Sequence, residues 1–193
     1  MLLDQDALAH AQEVVYRSMA PTPQYAWPLL AEALGAEVWV KHENATPTGA
    51  FKVRGGLVYV DRLVRERPHV RGIVSATRGN HGQSLAFAGR QHGLPVVIVV
   101  PHHNSPEKND AMRAFGAELI VHGADFQEAR EFSVALAEER GYEAVPSYHP
   151  DLVAGVATYA KELFDAAGAL DAVFVPIGMG SGICGVIGAR DML

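Results

Sequence analysis

Segments with the pattern of a strand alternate with segments with the pattern of a helix along most of this chain. Apolar runs such as GIVSA (72–76) and PVVIVV (95–100) are typical of strands that are buried on both faces. Amphipathic segments separate them, as in SPEKNDAMRAFG, where Ser105 is the expected N-cap of a helix. Such alternation is typical of a parallel sheet covered by helices on both faces, so we predict an α/β fold.

The same patterns locate the individual elements. Helices are predicted over residues 3–19, 51–68, 79–93, 105–116, 125–141 and 151–168. Strands are predicted over residues 36–43, 72–76, 95–100, 117–121 and 171–176. Ligands of parallel sheets bind at the carboxyl ends of the strands, so function is expected in the loops that lead from a strand to the next helix.

The composition excludes several classes of protein. The net charge is −6 and the basic residues are scattered, so no surface for nucleic acid or an anionic membrane is expected. No apolar run approaches the length of a membrane span, and the acidic start MLLDQDALAH lacks the positive charge of a signal peptide. The single cysteine, Cys184, excludes a disulfide framework and a thiolate metal cluster. We therefore expect a cytoplasmic protein with a small-molecule partner and no metal site.

Lys52 is the central residue of the first unusual loop, HENATPTGAFKVRGG (42–56). Two glycines, at positions 55 and 56, would let another backbone or a ligand come close. A lysine held partly out of water has a lowered pKa, and its neutral amine can form a Schiff base with a carbonyl group. Arg54 is a candidate for a neighbouring cation that would lower this pKa further, although helix residues at i and i+2 point in different directions. A solvated surface lysine remains the alternative.

The second loop, SATRGNHGQ (75–83), joins a buried strand to the start of a helix. Its glycines allow a sharp turn that exposes backbone N–H groups at a helix N-terminus, where anions bind. Polar side chains crowd the same turn, and they belong to Thr77, Asn80, His81 and Gln83. A carboxylate or an aromatic hydroxyl is the expected ligand, and a helix simply capped by Asn80 is the alternative.

Glycines recur in the third loop, VPIGMGSGICG (175–185), directly after an apolar segment. Backbone N–H groups and the dipole of the following helix would hold a phosphate there, with Ser181 as a side-chain donor. Residues 180–185 also match G-x-G-x-x-G, so dinucleotide binding is a second interpretation. That fingerprint normally lies in the first unit of its domain, and its acidic partner about 20 residues later would fall beyond Leu193.

A single ligand accounts for all three loops. Pyridoxal phosphate has an aldehyde for a lysine, a ring hydroxyl for an amide and a phosphate for a glycine-rich loop. The sequence therefore predicts pyridoxal 5'-phosphate as the cofactor.

GAFKVRGG, TRGNHGQ and VPIGMGSGICG resemble the lysine, asparagine and glycine-rich motifs of the fold-type II pyridoxal-phosphate enzymes, and in particular those of the threonine/serine dehydratases, which include serine racemase. The resemblance implies that Lys52 forms the Schiff base and removes the substrate α-proton, that Phe51 packs beside the cofactor and that Asn80 binds the ring hydroxyl. It implies a phosphate loop of Gly178, Met179, Gly180, Ser181 and Gly182. The substrate carboxylate would be held by Thr77, Gly79, Asn80 and His81.

The same resemblance implies a tryptophan synthase β-like α/β fold, in which parallel sheets are flanked by helices. Residues 1–70 and 151–193 would form a large cofactor domain, and residues 71–150 a small inserted α/β domain. The implied activity is that of a dehydratase or ammonia-lyase, which converts L-threonine or L-serine to a 2-oxo acid and ammonia. The implied assembly is a homodimer.

Several positions depart from the family's pattern. Ala50 stands where a serine usually precedes the Phe-Lys pair, and Met179 and Ser181 interrupt what is often a run of glycines. Arg78 occupies the position of the serine that racemases of this group use on the second face of the cofactor. Since an arginine side chain stays protonated and is a poor proton donor, we predict elimination rather than racemisation.

Members of this family are much longer than 193 residues. We therefore expect the C-terminal part of the fold to be missing and apolar strand surface to be exposed. A non-catalytic or partner-dependent remnant is one alternative function. A racemase or a β-replacement enzyme is another.

Overall fold

The computed structural model describes residues 3–193. Its helices are α1 (Gln5–Tyr16), α2 (Pro28–Leu34), α3 (Lys52–Glu66), α4 (Asn80–Gln91), α5 (Pro106–Ala114), α6 (Phe126–Arg140), α7 (Pro150–Ala167) and α8 (Ser181–Arg190). Its strands are β1 (Gln24–Ala26), β2 (Trp39–Lys41), β3 (Ile73–Ala76), β4 (Val96–Val100), β5 (Glu118–Val121) and β6 (Glu143–Ala144). Within this range, none of the helices combines the length and hydrophobicity that a membrane crossing requires.

Four parallel strands form the main sheet, in the order β5-β4-β3-β6. Side chains of β3 and β4 alternate between two cores because successive residues of a strand point to opposite faces. Ile73 and Ile98 pack in the larger core with α3 and α4, whereas Val74 and Val97 pack against α6. The prediction of an α/β fold with a buried parallel sheet is therefore confirmed. β6, which is only two residues long, was not predicted.

The strand predicted over residues 171–176 does not form, and that prediction is wrong for this structure. The segment pairs with no strand of residues 3–193, and an apolar run becomes a strand only when a neighbour satisfies its backbone N–H and C=O groups. Phe174 is 95 % exposed and Ile177 is 68 % exposed. These two side chains give the segment an exposed apolar surface.

A small antiparallel sheet of two strands, β1 and β2, lies ahead of α3, with Tyr25 opposite Val40. The sequence predicted β2, within residues 36–43, but neither β1 nor the short helix α2. Large apolar side chains of this region are exposed, among them Trp27, Leu29 and Leu34.

Helices α3, α4 and α7 approach one another closely through glycines. A methyl group at Gly55 of α3 would lie 2.8 Å from the carbonyl oxygen of Leu152 in α7, and one at Gly56 would overlap Ser84 of α4. The sequence left open whether these two glycines admit a backbone or a ligand. In the structure they admit the neighbouring helices, which fixes the start of α3 against the rest of the core.

Replacing Gly155 by alanine is expected to lower the free energy of unfolding by about 1–3 kcal/mol. The added methyl group would overlap the backbone carbonyl of Arg54, which cannot rotate away as a side chain would. Urea denaturation measures the effect. Gly178→Ala is the matched control because a methyl group there meets no atom within 4 Å. Equal free energies of unfolding for the two variants would contradict the prediction.

Candidate active site

A tight turn places Lys52 at the first residue of α3. The Thr46 hydroxyl accepts a hydrogen bond from the Ala50 N–H at 2.9 Å, and the Thr46 carbonyl accepts one from the Gly49 N–H at 2.9 Å. Gly49 has a φ of 67°, a left-handed conformation that favours glycine. The Ser84 hydroxyl of α4 donates to the Lys52 carbonyl at 2.7 Å. Lys52 therefore has a fixed backbone position between two helices.

The side chain of Lys52 is half-buried. This burial lowers its pKa from the ordinary value of a lysine, because the loss of water disfavours the ammonium form. The Phe51 ring lies beside it, with its centroid 5.2 Å from the lysine Nζ. Arg54 is not the cation that lowers this pKa, because its buried guanidinium is held by the carboxylates of Glu43 and Glu162. Desolvation alone accounts for the effect.

Arg54 belongs to a buried ion-pair network formed by Lys41, Glu43, Arg54 and Glu162. The Arg54 Nε donates to Glu43 at 2.8 Å, and its Nη1 donates to Glu162 at 2.5 Å. The Lys41 Nζ donates to Glu162 at 2.6 Å. The two cations balance the two carboxylates, as burial of charge requires. Since Glu43 and Arg54 flank the turn that carries Lys52, the network also fixes that turn at both ends.

Helix α4 begins at Asn80, with Gly79 as its N-cap residue. The interpretation of Asn80 as a simple cap is therefore wrong. The Asn80 Oδ1 accepts a hydrogen bond from Lys108 Nζ of α5 at 3.1 Å. The Thr77 hydroxyl oxygen accepts one from the Gly79 N–H at 3.1 Å, which shapes the loop after β3. This loop presents the Asn80 side chain at the carboxyl end of the sheet.

The glycine-rich loop ends at the N-terminus of α8. Gly180 is the N-cap residue, with a φ of 103° that favours glycine, and α8 begins at the buried Ser181. A methyl group at Gly182 would lie 3.2 Å from the Phe51 ring, so this residue brings the loop against the turn that carries Lys52. Gly185, the last glycine of the G-x-G-x-x-G match, faces Ala157 of α7 instead. That glycine serves helix packing.

One cleft of about 380 Å³ brings the three loops together. The predicted residues that line it are Phe51, Lys52, Asn80, Gly178, Gly180, Ser181 and Gly182. Four other predicted residues do not line it: Thr77, Gly79 and His81 are buried, and the Met179 side chain is 59 % exposed. The lining also contains residues that the sequence had not assigned, namely Glu43, Asn44, Gly49, Ala50, Pro176 and Ile177.

The functional residues that the sequence analysis missed differ in the signal that could have identified them. Glu43 and Asn44 belong to the same HENATPTGAFK block as Lys52, so their closeness in sequence was a usable signal. Lys108, which contacts Asn80, gave no such signal because it approaches from α5 only in the folded chain.

His81 lies in the first turn of α4 and is 9 % exposed. Burial lowers the pKa of its imidazole to about 4, and the positive charge of Lys52 acts in the same direction. A hydrogen bond with the backbone of Pro146 opposes this shift without reversing it. His81 is therefore neutral at pH 7.

The stability of the fold is expected to decrease as the pH falls from 6.5 towards 4. The unfolded chain takes up a proton at His81 near its ordinary pKa of 6.5, whereas the folded chain does so only near 4, so the full contribution is present above pH 6.5. Below pH 4 the loss reaches about 3 kcal/mol. Urea unfolding between pH 7 and pH 4 should show a larger loss for the parent than for His81→Phe. Equal losses would contradict the prediction.

The groups that line the cleft fit a ligand with an aldehyde, a ring hydroxyl and a phosphate. Lys52 offers an amine of lowered pKa, and Asn80 offers a side-chain amide. Methyl groups at Gly178 or Gly180 would meet no atom within 4 Å, so the loop borders open space beside the N-terminus of α8, where an anion is stabilised. The fold and the lining of this cleft are those of an α/β protein that can hold pyridoxal phosphate.

Comparison with known proteins supports this class. The family model described as pyridoxal-phosphate dependent enzyme matches residues 15–190, and this chain belongs to that family. A biosynthetic L-threonine dehydratase, IlvA, from Haemophilus influenzae is 36 % identical over 173 residues, which are 89 % of this chain and 34 % of that protein. An L-threo-3-hydroxyaspartate ammonia-lyase from Saccharomyces cerevisiae is 35 % identical over 89 % of this chain and 53 % of its own length.

A solved structure shows the same fold. The crystal structure of a pyridoxal 5'-phosphate-dependent aspartate racemase superposes with a TM-score of 0.92 at 30 % identity, covering 97 % of this chain and 58 % of that one. This chain thus spans about a third of the dehydratase and somewhat more than half of the racemase. Family membership confirms the predicted fold type and the predicted cofactor.

Proposed function

We propose that this chain binds pyridoxal phosphate in the cleft and takes part in the α,β-elimination of L-threonine or L-serine to a 2-oxo acid and ammonia. The observation that carries the proposal is the meeting of Lys52, Asn80 and the glycine-rich loop around one cleft. The activities named for the dehydratase and ammonia-lyase relatives support the reaction type.

The lining residues have distinct roles in this proposal. When bound, pyridoxal phosphate supplies an aldehyde that joins an amino group and a ring that withdraws electrons from the substrate α-carbon. Lys52, whose lowered pKa favours the neutral amine, holds the cofactor and later receives the α-proton at Nζ. The Asn80 Oδ1 already accepts from Lys108, so its amide N–H group is the one that donates to the ring hydroxyl. Backbone N–H groups of residues 178–182 bind the phosphate.

Two bonds of the substrate break in the reaction. The Cα–H proton goes to Lys52 Nζ, the β-hydroxyl takes up a proton and leaves as water, and a Cα=Cβ bond forms. Addition of water to the product of elimination then releases ammonia and the 2-oxo acid. The half-buried position of Lys52 helps to keep bulk water from its amine while it acts as the base.

Racemisation is the second candidate, because the aspartate racemase superposes so well on this chain. A racemase needs a second group that returns a proton to the opposite face of the α-carbon. Arg78, which is exposed, occupies the position where the resemblance implies that group, and a guanidinium does not exchange protons at neutral pH. Elimination is therefore favoured over racemisation.

The direct test is to supply the purified chain with pyridoxal phosphate and then with L-threonine or L-serine. Visible absorbance of the bound cofactor and formation of a 2-oxo acid are the expected results. D-serine formation from L-serine should be negligible beside elimination. Cofactor binding without 2-oxo acid would favour a non-catalytic or partner-dependent remnant, and appreciable D-serine would favour a racemase. A product formed only with an added nucleophile would favour β-replacement.

We further propose that residues 71–150 form the small domain and residues 1–70 with 151–193 the cofactor domain. Support comes from the main sheet, which lies entirely within 71–150. Residues of α1, α3, α7 and α8 pack together in a core that continues into α4, β3 and β4. Cytoplasmic location and a homodimer are part of the same proposal. The single cysteine fits a reducing compartment, and exposed apolar side chains such as Leu29 and Phe174 fit association with further polypeptide.

A further inference from the structure

Lys108 contacts the cleft-lining residue Asn80 from a neighbouring helix. It lies in the first turn of α5, where its backbone N–H donates to the Ser105 hydroxyl at 3.4 Å. Its side chain is half-buried, and the Nζ donates to the Asn80 Oδ1 at 3.1 Å. This is the one hydrogen bond of the Lys108 ammonium within residues 3–193, where no carboxylate pairs with it. The cation therefore has a neutral amide as its partner.

Two glycines at the start of α4 admit two side chains of α5. A methyl group at Gly79 would lie 2.5 Å from the Lys108 Cδ and 3.0 Å from its Nζ. A methyl group at Gly82 would overlap the sulfur of Met112. Lys108 and Met112 are four residues apart, so they lie on the same face of α5, and Met112 is fully buried. The packing of Met112 therefore holds the face that carries Lys108 against α4.

The Lys108 ammonium determines how the Asn80 amide is oriented. An ammonium only donates hydrogen bonds, so the amide atom next to it must be the oxygen. The amide nitrogen, with its two N–H groups, is then the atom left for a ligand, and Asn80 lines the cleft together with Lys52. An amide free to turn over would offer its oxygen, an acceptor, to the same ligand.

A donor at this position favours a ligand oxygen that is negatively charged. The N-terminus of α4, where Asn80 is the first residue, adds a partial positive charge. Lys108 adds a full charge that no carboxylate of the described residues 3–193 balances. The ring hydroxyl of pyridoxal phosphate is a phenol, and a hydrogen bond or a cation that stabilises its anion lowers its pKa.

We propose that Lys108 is a positioning residue for the cofactor, which acts through the Asn80 amide so that the ring hydroxyl of pyridoxal phosphate binds as its anion. The inference rests on the proposed binding of pyridoxal phosphate in the cleft, but on no step of the reaction. Loss of the ammonium frees the amide to turn over and removes the nearby charge, and both changes weaken the preference for the anion.

Two other roles for Lys108 give different results. A direct contact with the phosphate, or a purely structural role, would affect every phosphate-bearing ligand of the cleft equally. A role through Asn80 affects only a ligand that has the ring hydroxyl. Dependence on that hydroxyl therefore distinguishes the assignments.

Pyridoxal phosphate and 3-deoxypyridoxal 5'-phosphate form a matched pair of ligands, because they differ only in the ring hydroxyl. Equilibrium dialysis gives both dissociation constants, and the value for the deoxy compound divided by that for pyridoxal phosphate is the hydroxyl selectivity. In Lys108→Met this selectivity is expected to fall about tenfold, whereas Lys108→Arg, which keeps a charged donor, should retain most of it. Arg113→Met removes another cation of α5 and should leave it unchanged. A parental selectivity in Lys108→Met would overturn the proposal.

A double-mutant cycle tests whether Lys108 acts through Asn80. Asn80→Ala is expected to lower the hydroxyl selectivity by itself. Adding Lys108→Met to Asn80→Ala should lower it no further, because the amide that transmits the effect is already absent. A second loss as large as that in the parent background would overturn the proposal.

Absorbance of the bound cofactor reports the protonation of its ring hydroxyl, because the anion absorbs at longer wavelength than the neutral form. In Lys108→Met the long-wavelength band is expected to be weaker at pH 7 and to recover as the pH rises. Its titration midpoint should lie about one pH unit above that of the parent, which corresponds to the tenfold change in selectivity. An unchanged midpoint would overturn the proposal.

None of these measurements requires turnover. A parent chain that binds pyridoxal phosphate but forms no 2-oxo acid would contradict the proposed reaction, and the hydroxyl selectivity would still decide the role of Lys108. Product formation by the parent with an unchanged selectivity in Lys108→Met would contradict the role of Lys108 alone. A parent that binds neither compound would contradict both proposals.

Discussion

Replacement of Lys52 by alanine is expected to remove the visible absorbance of the bound cofactor and to lower 2-oxo acid formation by about 10³-fold or more. The amine is the one group in the proposal that both joins the aldehyde and receives the α-proton, so its loss removes two steps together. Absorbance spectra with pyridoxal phosphate, and product formation from L-threonine and L-serine, measure the two effects.

Lys161→Ala is the matched control for this variant. Lys161 lies on α7 and pairs with Asp165, a residue four positions along the same helix, so it takes no part in the cleft. The control should keep the spectrum and the rate of the parent chain. If Lys52→Ala keeps them as well, the assignment of Lys52 as the cofactor lysine and the base is wrong.

Replacement of Arg54 by methionine is expected to lower the free energy of unfolding by about 3–5 kcal/mol. The variant would leave the carboxylates of Glu43 and Glu162 buried with Lys41 as their remaining cation. Urea denaturation at pH 7 measures the loss. Since the network fixes the turn that carries Lys52, weaker binding of pyridoxal phosphate is expected in the same variant.

Arg113→Met is the matched control, since Arg113 forms an exposed ion pair with Asp110 that is worth less than about 1 kcal/mol. Burial alone would raise the pKa of Glu162, but hydrogen bonds from Arg54 and then from Lys41 lower it. The stabilisation by this network is therefore complete above the ordinary pKa of a glutamate and is lost as the pH falls through the lowered value. The difference between the parent and Arg54→Met should narrow at acidic pH. Similar losses for the two arginine variants at pH 7 would contradict the prediction.

Local sequence patterns were sufficient to predict the helices and strands that have a capping residue or an apolar run of their own. α5 begins after Ser105 and α6 after Asp125 because each of these side chains accepts a hydrogen bond from the first turn of its helix. The apolar runs of β3 and β4 predicted buried strands, and both are buried along their whole length. The run over residues 171–176 has the same signal but no strand beside it. Strand pairing is a property of two segments, so one segment cannot predict it.

The residues of the site also divide into those with a local sequence pattern and those placed by contacts between distant segments. Lys52, Asn80 and the glycine-rich loop were predicted because each has an unusual local pattern, and they line one cleft. The role of Arg54 could not be predicted, because its partner Glu162 is 108 residues away in sequence. The contact of Lys108 with Asn80 likewise depends on the packing of α5 against α4.

The sequence by itself determined the α/β class, the three loops and the cofactor whose groups those loops match. Periodicity, capping residues and glycine spacing are local properties. They can be recognised in the sequence because the backbone conformations that they favour are also local. Only the tertiary structure decided that burial, and not Arg54, lowers the pKa of Lys52. It also decided that Nε2 of His81 is buried without a hydrogen-bond partner. Desolvation and hydrogen-bond satisfaction depend on every segment that surrounds a group, and those segments meet only when the chain folds.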